Sequence, residues 1–390
     1  MGRRRSHTRE RRPIIHVLLT HPFFWPHVVR GAEREVHDTG MRLAERGHRI
    51  DLVTGKPTGV TSVADVDGVH VRYVRTPLPA WMERRGWRRE STFGAVAALG
   101  AATSRADVVA SFLYADSYGA SLASRLPLPS RHGRPVVLKL TGAVLRSRVD
   151  DQPIERGLLR RALDTADQVW VNSRFVLESM ADWGYPMHVL PVGLDERTFH
   201  PVAERSEHPL VLCTAAPHEP RKRLVDLLDA WAAVREGLPG AELVITQRTD
   251  AETRASLLER VPASQRDSVR FSGLLTDAEL AAMYSRAWVM VAPSVYEAFG
   301  LMTVEALACG TPVAGCDSGA TPELLDQPGT GTLFPPADPD ALAEAVVAAS
   351  RLAQEPGIRE RCRAAALRYA WPRIIDEIEQ RLTMVVEARR

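Results

Sequence analysis

Short apolar runs alternate with longer amphipathic stretches along nearly the whole chain, and this alternation restricts the fold more than any other feature. The first run is IIHVLL, residues 14–19, and a helical pattern follows over residues 33–45. Later runs are RIDLV, VHVRYV, DVVASFL, PVVLKL and QVWVN. Continuous apolar strands separated by helices are typical of parallel sheets covered on both faces. The sequence therefore predicts an α/β fold built from doubly wound sheets.

The chain of 390 residues is long for one hydrophobic core, and the alternation occurs in two blocks. We assign residues 13–195 to a first domain and residues 210–371 to a second, which begins with the run LVLCTAA. The polar, turn-rich segment 196–209 is the expected linker. Residues 372–390 form a terminal helix. The basic residues 1–12 have no apolar region behind them, so we expect a disordered arm and not a secretory signal.

Composition excludes several classes of function. The net charge of +2 is too balanced to indicate nucleic acid as the partner. No apolar stretch approaches the roughly 18 residues of a spanning helix. The four cysteines have neither CxxC nor cysteine–histidine metal spacing, so reduced thiols and a cytoplasmic location are expected.

The segment WVMVAPSVYEAFGLMTVEALACGTPVAG, residues 288–315, carries the clearest chemistry. An apolar strand is followed by a loop with Glu297, and a helix is predicted to begin near Gly300. The free amides of Phe299, Gly300 and Leu301 at that helix start would suit a diphosphate. Glu305, one turn further on, can accept hydrogen bonds from ribose hydroxyls, and Glu297 can reach hydroxyls of a sugar. Two acidic residues eight positions apart are common by chance, and the alternative is two solvated glutamates.

This segment resembles the retaining glycosyltransferases of family 4, because EAFGLMTVE at 297–305 fits their E-x7-E signature. The resemblance extends over nearly the whole chain, through VLPVGLDERTFHP before the second domain, RKRLVDLLDAW on its first helix and GATPELL after the signature. It implies the GT-B fold, in which two Rossmann-like domains face each other across a cleft. It also implies that the first domain binds the acceptor, the second binds the nucleotide sugar, and the terminal helix crosses back to the first.

The resemblance also implies roles for individual residues. Glu297 would bind the donor sugar, Glu305 the ribose and Lys222 the diphosphate. We take Lys222, Glu297 and Arg221 as the candidate catalytic residues, because charge stabilisation on the leaving diphosphate is the main task. The resemblance also implies front-face displacement, which needs no protein base. Neither a metal nor another cofactor is expected.

Three positions depart from the family pattern. Its Gly-Gly loop reads Arg30-Gly31 here, so Gly31 remains for close approach of the backbone to the donor, and Arg30 either adds charge or is a plain surface arginine. Pro217 stands where an arginine is frequent, and Arg221 is the candidate substitute. Thr141 replaces a histidine that faces the donor sugar, and it retains a hydroxyl for hydrogen bonding.

Other candidates are open to simpler interpretations. His21 either contacts the acceptor or is a structural histidine. Asp65-Val66-Asp67 matches the DxD metal motif of another glycosyltransferase fold, but Gly68 makes a turn the better interpretation. The segment WMERRGWRRE, residues 81–90, is either a solvated surface loop or a site of weak membrane association.

Three functional hypotheses follow. The first is a transferase acting on a small hydrophilic acceptor in bacterial specialised metabolism. The second is a peripheral membrane enzyme that builds lipid-linked or envelope glycans. The third is a non-catalytic partner subunit with the same fold. The sequence carries no signal for an oligomeric state.

Overall fold

A computed structural model describes residues 13–24, 31–56, 61–76, 78–85, 87–126, 133–142, 149 and 151–389. Within these ranges the chain forms two α/β domains, each built around a largely parallel sheet. The predicted α/β architecture is confirmed. The predicted arm, residues 1–12, lies outside the described residues.

The first domain contains an eight-stranded sheet among the described residues, ordered β3-β4-β2-β1-β5-β6-β7-β8. Only β3 runs antiparallel, against β4. Strand order reverses between β1 and β5, and doubly wound sheets bind ligands at the carboxyl ends of such strands. The strands are β1 (His16–His21), β2 (Arg49–Lys56), β3 (Ser62–Val66), β4 (Val69–Arg75), β5 (Val108–Ser111), β6 (Val136–Leu140), β7 (Gln168–Val171) and β8 (His188–Val189).

Helices cover both faces of this sheet. The first of them buries Val36, Gly40 and Leu43, where a Cβ at Gly40 would come within 3.1 Å of Leu19. Gly47, with φ of 89°, follows the end of this helix, where glycine adopts the left-handed conformation without strain. The helices are α1 (Gly31–Glu45), α2 (Ala80–Glu83), α3 (Arg89–Thr103), α4 (Tyr114–Ser124), α5 (Pro153–Thr165) and α6 (Arg174–Ser179).

The second domain has a six-stranded parallel sheet in the order β11-β10-β9-β12-β13-β14. The order reverses between β9 and β12, so the second ligand-binding edge lies at their carboxyl ends. The strands are β9 (Leu210–Cys213), β10 (Glu242–Ile245), β11 (Val269–Phe271), β12 (Val289–Ala292), β13 (Val313–Cys316) and β14 (Gly331–Phe334).

Separate hydrophobic clusters lie on the two faces of this second sheet, one against Trp231 and the other against Tyr284. Both aromatic side chains are fully buried. The helices are α7 (Leu224–Gly237), α8 (Ala251–Glu259), α9 (Asp277–Arg286), α10 (Leu301–Ala308), α11 (Thr321–Leu324), α12 (Pro339–Leu352) and α13 (Ile358–Leu367).

The last helix, α14 (Trp371–Glu387), packs into the core of the first domain and not the second. Arg46 fixes it by donating to Asp376 over 2.7 Å and to Glu379 over 2.6 Å. Seven of its apolar side chains belong to the first domain's buried cluster: Trp371, Ile374, Ile375, Ile378, Leu382, Val385 and Val386.

The connection between the domains is packed, although its sequence is polar and turn-rich. Leu194 forms a parallel bridge with Ala370, and Phe199 is fully buried beside the ring of Tyr284. A Cβ at Gly193 would lie 2.2 Å from the Trp371 ring. Isolated apolar residues give no periodic signal, so the sequence pattern does not indicate this packing.

The DxD motif lies in the β3–β4 hairpin. Asp67 has φ of 50° and Gly68 has φ of 80°, so together they make the turn. Asp67 Oδ2 lies 2.9 Å from His37 Nε2. The strand β3 was not predicted, because its side chains are mostly exposed and lack the apolar pattern.

Candidate active site

The carboxyl ends of β9 and β12 bring Lys222 and Glu297 into direct contact. Lys222 lies in a short 3₁₀ turn after β9, and Glu297 lies in the loop after β12. Lys222 Nζ donates to Glu297 Oε2 over 2.6 Å. The amide of Val295 donates to the Arg221 carbonyl over 2.9 Å, which fixes the two loops against each other. A cation and a carboxylate 75 positions apart in sequence are therefore held together at a ligand-binding edge.

The turn after β13 holds the loop of Glu297 in place. The Ala320 amide donates to the Glu297 carbonyl over 2.9 Å, and Ser318 Oγ donates to the Val295 carbonyl over 2.5 Å. Gly319 has φ of 64°, and a Cβ there would lie 2.6 Å from the Glu297 nitrogen. Only glycine fits this approach without moving the loop.

The helix after this loop begins at Leu301, one residue later than predicted, with Gly300 as its N-cap at φ of 97°. Among the described residues, the amides of Phe299, Gly300 and Leu301 have no backbone acceptor. They remain available as donors at a helix start, where the helix dipole adds positive potential. The Phe299 ring anchors the turn by packing edge-on against Tyr369.

Glu305 lies inside the first turns of α10 and is almost fully buried. Burial raises the pKa of its carboxyl to about 7, and the nearby Arg34 guanidinium opposes the shift. Tyr284 donates its hydroxyl to Glu305 Oε2 over 3.4 Å. Glu305 is thus a buried acceptor at the same helix start as the free amides.

Arg34 reaches Glu305 from the other domain, and the sequence did not indicate this contact. It projects from α1 and donates to Asp277 Oδ2 over 2.9 Å, while its Nη1 lies 3.6 Å from Glu305 Oε1. Its guanidinium also lies 5.6 Å from the centre of the Phe199 ring. In the sequence, the only indication that Arg34 belongs to the site is its position three residues after Gly31.

The start of α6 also contacts the loop of Glu297 across the cleft. Ser173 Oγ donates to the Ala298 carbonyl over 2.6 Å. The Glu323 carboxylate accepts from the amides of Arg174 and Phe175, at 3.0 and 2.6 Å. The two domains are therefore in hydrogen-bonded contact beside the candidate site.

The remaining predicted donor-site residues lie around this centre at different distances. Arg221 donates to the Tyr296 carbonyl over 3.1 Å, and its Nη1 lies 3.8 Å from Glu297 Oε2. Thr141 follows β6 and is half-buried, with its carbonyl accepting from Asn172. Gly31 is the first residue of α1, with open space where a Cβ would be. Arg30 lies outside the described residues.

His21 is the last residue of β1, and its side chain is buried. Burial lowers the pKa of the imidazole to about 4, so the ring is neutral at physiological pH. Its Nδ1 lies 2.6 Å from the Phe23 carbonyl, which is a structural contact. A direct contact between His21 and an acceptor stays a prediction.

A cavity of about 730 Å³ opens on the first domain. It is lined by Phe23, by parts of the segment 78–90 and by residues 151–154. These segments follow β1, β4 and β6, so the cavity lies at the carboxyl edge of the first sheet.

The described residues contain neither a metal-binding group of side chains nor a membrane-spanning helix. No group of three or more histidine, cysteine, aspartate or glutamate side chains is arranged to hold a metal ion in these ranges. None of the helices within them is long and apolar enough to cross a membrane.

Two Rossmann-like domains with their ligand-binding edges on either side of a cleft, joined by a crossing terminal helix, define a GT-B protein. Nearly the whole chain superimposes on solved structures of this architecture. Sucrose-phosphate synthase from Thermosynechococcus elongatus matches with a TM-score of 0.76 at 21% identity, over 96% of this chain and all of that one. Anabaena HepE in complex with UDP matches with a TM-score of 0.72 at 17% identity, over 95% of this chain and all of that one.

The family follows from the sequence comparisons. Residues 29–198 match the family model "Glycosyltransferase Family 4", and residues 208–351 match "Glycosyl transferases group 1". The chain belongs to glycosyltransferase family 4.

Curated relatives align with part of the chain. The phosphatidyl-myo-inositol mannosyltransferase of Mycobacterium leprae is 37% identical over 165 residues, which is 41% of this chain and 42% of that protein. The MMP alpha-(1->4)-mannosyltransferase of Mycolicibacterium hassiacum is 34% identical over 157 residues, 40% of this chain and 38% of that protein. The chain thus spans less than half the length of these relatives.

Proposed function

We propose that this protein transfers a sugar from a nucleoside diphosphate sugar to a small hydrophilic acceptor, with retention of anomeric configuration and without a metal ion. The observation that carries the proposal is the 2.6 Å contact between Lys222 and Glu297 beside the free amides at the start of α10. Membership of family 4 supports the reaction class. The UDP bound to the related HepE structure supports a nucleotide donor. We place the enzyme in the cytoplasm of a bacterium.

The donor would lie along the loop and helix that follow β12. Its diphosphate binds Lys222 and the amides of Phe299, Gly300 and Leu301, which supply charge-assisted hydrogen bonds. The ribose hydroxyls donate to Glu305, which is buried one turn further along the helix. The sugar hydroxyls donate to Glu297, whose Oε2 also accepts from Lys222 Nζ.

The reaction then proceeds on one face of the sugar. The bond between the anomeric carbon and the phosphate oxygen breaks, and the acceptor oxygen bonds to the same face of that carbon. The acceptor proton moves to the departing diphosphate oxygen, so no protein base is required. Lys222 and the helix-start amides stabilise the negative charge that develops on the diphosphate. Arg221 lies close enough to Glu297 to orient it.

Thermal unfolding with UDP, GDP, ADP and dTDP tests the donor site. A nucleotide at about 100 times its Kd adds roughly 2.7 kcal/mol to the free energy of unfolding, a shift of several degrees. We expect one nucleotide to raise the midpoint, and Glu305→Ala to abolish that shift. If no nucleotide raises it, the donor site is absent and a non-catalytic GT-B partner subunit becomes the better hypothesis.

A peripheral membrane transferase is the second candidate, and two observations support it. The Mycobacterium leprae relative is named for a lipid substrate, and Trp81 is 52% exposed at the edge of an arginine-rich segment. Liposome co-sedimentation tests this candidate. Binding that disappears when Arg84, Arg85, Arg88 and Arg89 are replaced by alanine supports it, and no binding to anionic vesicles removes it.

A further inference from the structure

The cavity on the first domain is the candidate for a specific ligand site. Its volume of about 730 Å³ is in the ordinary range for small-molecule sites, roughly 300–1,000 Å³. Phe23 enters it two residues after β1, Leu78 three residues after β4, and Asp151 after β6. All three segments leave the sheet at its carboxyl edge, which is the edge that binds ligands in this architecture.

Charged side chains of both signs line this cavity without pairing. Arg85, Arg88 and Arg89 contribute three cations, and Glu83, Glu90 and Asp151 contribute three carboxylates. In the part of the chain that the structure describes, none of these six side chains forms a salt bridge with another residue. Arg85 has an aromatic contact, because its guanidinium lies 5.6 Å from the centre of the Trp81 ring.

The position of the arginines is unfavourable for the helix that carries them. Arg88 is the N-cap of α3 and Arg89 its first residue, and Arg88 makes no side-chain capping bond. The positive end of a helix disfavours cations, and serine or aspartate would cap it better. A second helix, α5, also begins on the cavity, with Gln152 as an N-cap that makes no capping bond. Two helix starts and three arginines therefore face one space, whose lining also contains the three carboxylates.

A buried carboxylate that follows the lining residue Ile154 connects the helices around the cavity. Glu155, in the first turn of α5, accepts hydrogen bonds from the hydroxyls of Ser91 and Tyr114. Ser91 lies in the first turn of α3, and Tyr114 is the first residue of α4. The three helix starts are thereby joined, so the lining residues are held in place before a ligand arrives.

We propose that this cavity binds the acceptor, and that the acceptor is a hydroxylated ring compound with an anionic group, a phosphate or a carboxylate. The guanidinium groups bind the anion in bidentate geometry. The carboxylates accept hydrogen bonds from ring hydroxyls, and the rings of Trp87 and Phe23 supply apolar contact for C–H faces. The identification as an acceptor site rests on the proposed function, whereas the anion chemistry rests on the cavity alone.

Binding of matched anionic and neutral probes to the full chain tests the proposal. The probes are glucose 6-phosphate, inositol 1-phosphate and glucuronate, each compared with its neutral counterpart, glucose or inositol. We expect at least one anionic probe to bind at least tenfold more tightly than its counterpart. The double variant Arg88→Ala/Arg89→Ala should lose at least tenfold in that affinity. Its unfolding midpoint without probe should stay equal or rise, because the two cations oppose the helix dipole.

Arg105→Ala is the matched control, since Arg105 is an exposed arginine of the same domain outside the cavity. It should bind the probes like the wild type. The proposal is overturned if no anionic probe binds better than its counterpart, or if the double variant binds as well as Arg105→Ala.

Nucleotide binding by the wild type and the same variants tests the proposed function independently of this proposal. If a nucleotide binds through Glu305 but no anionic probe binds, the cavity proposal fails and the donor site stands. If an anionic probe binds and no nucleotide does, the proposed function fails and the anion site stands.

A second assay distinguishes a lipid headgroup from a free metabolite as the source of the anionic group. Vesicles of phosphatidylcholine with and without phosphatidylinositol are sedimented with the protein, in the presence and absence of free inositol 1-phosphate. Sedimentation that depends on phosphatidylinositol and on Arg88 and Arg89 identifies a lipid headgroup. Binding of the free probe without such sedimentation identifies a free metabolite.

Discussion

The 2.6 Å contact between Lys222 and Glu297 places the predicted diphosphate cation beside the predicted sugar carboxylate. Both side chains come from loops, and both loops are fixed by backbone hydrogen bonds to their neighbours. Such preorganisation matters because a donor aimed at developing charge needs no rearrangement during the reaction. Removal of Glu297 would leave the Lys222 ammonium without this partner.

Lys222→Ala should lower kcat with saturating nucleotide sugar by at least two orders of magnitude. The reason is the loss of one preorganised donor to the leaving diphosphate, typically about 3 kcal/mol. Lys56→Ala serves as the control, because Lys56 ends β2 and, among the described side chains, donates a hydrogen bond to Ser62 only. Equal kcat for wild type and Lys222→Ala would remove Lys222 from the catalytic residues.

Glu305 should make stability depend on pH in a defined window. Its folded-state pKa is raised to about 7 from the ordinary 4.5, so the folded protein holds this proton more tightly than the unfolded chain. Its contribution is fully present below about pH 4.5 and is lost as pH rises to about 7. Relative to Glu305→Gln, the wild type should therefore lose roughly 3 kcal/mol of unfolding free energy across that window. Urea unfolding of both proteins at a series of pH values measures this difference, and a constant difference would contradict it.

At the scale of single elements, the turn after β13 shows how local backbone geometry supports the site. Gly319 and Gly357 both have positive φ, at 64° and 75°. They differ in surroundings, because a Cβ at Gly319 would meet the backbone of Glu297, whereas a Cβ at Gly357 would meet nothing within 4 Å. Alanine variants of the two glycines therefore distinguish the effect of backbone strain from the effect of displacing the loop that carries Glu297.

Gly319→Ala should lower kcat at least tenfold, and Gly357→Ala should leave it within twofold. Both variants adopt a left-handed conformation that costs an alanine roughly 1–2 kcal/mol, and Gly319→Ala should lose more stability because its Cβ also meets the backbone of Glu297. Only Gly319→Ala has to move the loop that carries Glu297. Steady-state kinetics and thermal unfolding of the two variants test this distinction, and equal kcat values would show that the turn does not position Glu297.

Helices and strands are predicted well from the sequence where their buried residues form a continuous or periodic apolar pattern. Strands such as β5 and β6 are fully buried, so their apolar runs are visible in the sequence. The first strand was placed two residues too early, because its carboxyl end consists of the buried polar residues Thr20 and His21. The loop of Glu297 was predictable because strand, turn and helix start are contiguous in the chain.

At the scale of the whole molecule, contacts between the domains left no trace in the sequence. Arg34 and Asp277 are separated by 243 positions, and Ser173 and Ala298 by 125. Each residue alone is ordinary, and the pairs arise only from how the domains face each other. The same holds for the cavity on the first domain, whose lining segments are brought together by the strand order. The sequence therefore predicts what each domain contains, and the tertiary structure determines which residues meet.

The crossing of α14 makes the first domain dependent on the end of the chain. Seven apolar side chains of this helix belong to the first domain's core. Burying each contributes about 1.5–3 kcal/mol, so their removal costs roughly 10 kcal/mol or more. That amount is comparable with the whole stability of a typical domain, about 5–15 kcal/mol. The second domain has cores of its own, which α14 does not enter.

A chain that ends at Ala370 should therefore lose the cooperative unfolding transition of the first domain and retain that of the second. A nucleotide that stabilises the full protein should still raise the remaining transition, because Lys222, the helix-start amides and Glu305 all lie in the second domain. A chain that ends at Glu387 is the control, since it keeps the whole of α14. Differential scanning calorimetry with and without the nucleotide distinguishes the two truncations. Two intact transitions in the shorter chain would show that the first domain folds without the crossing helix, and that α14 only holds the domains together.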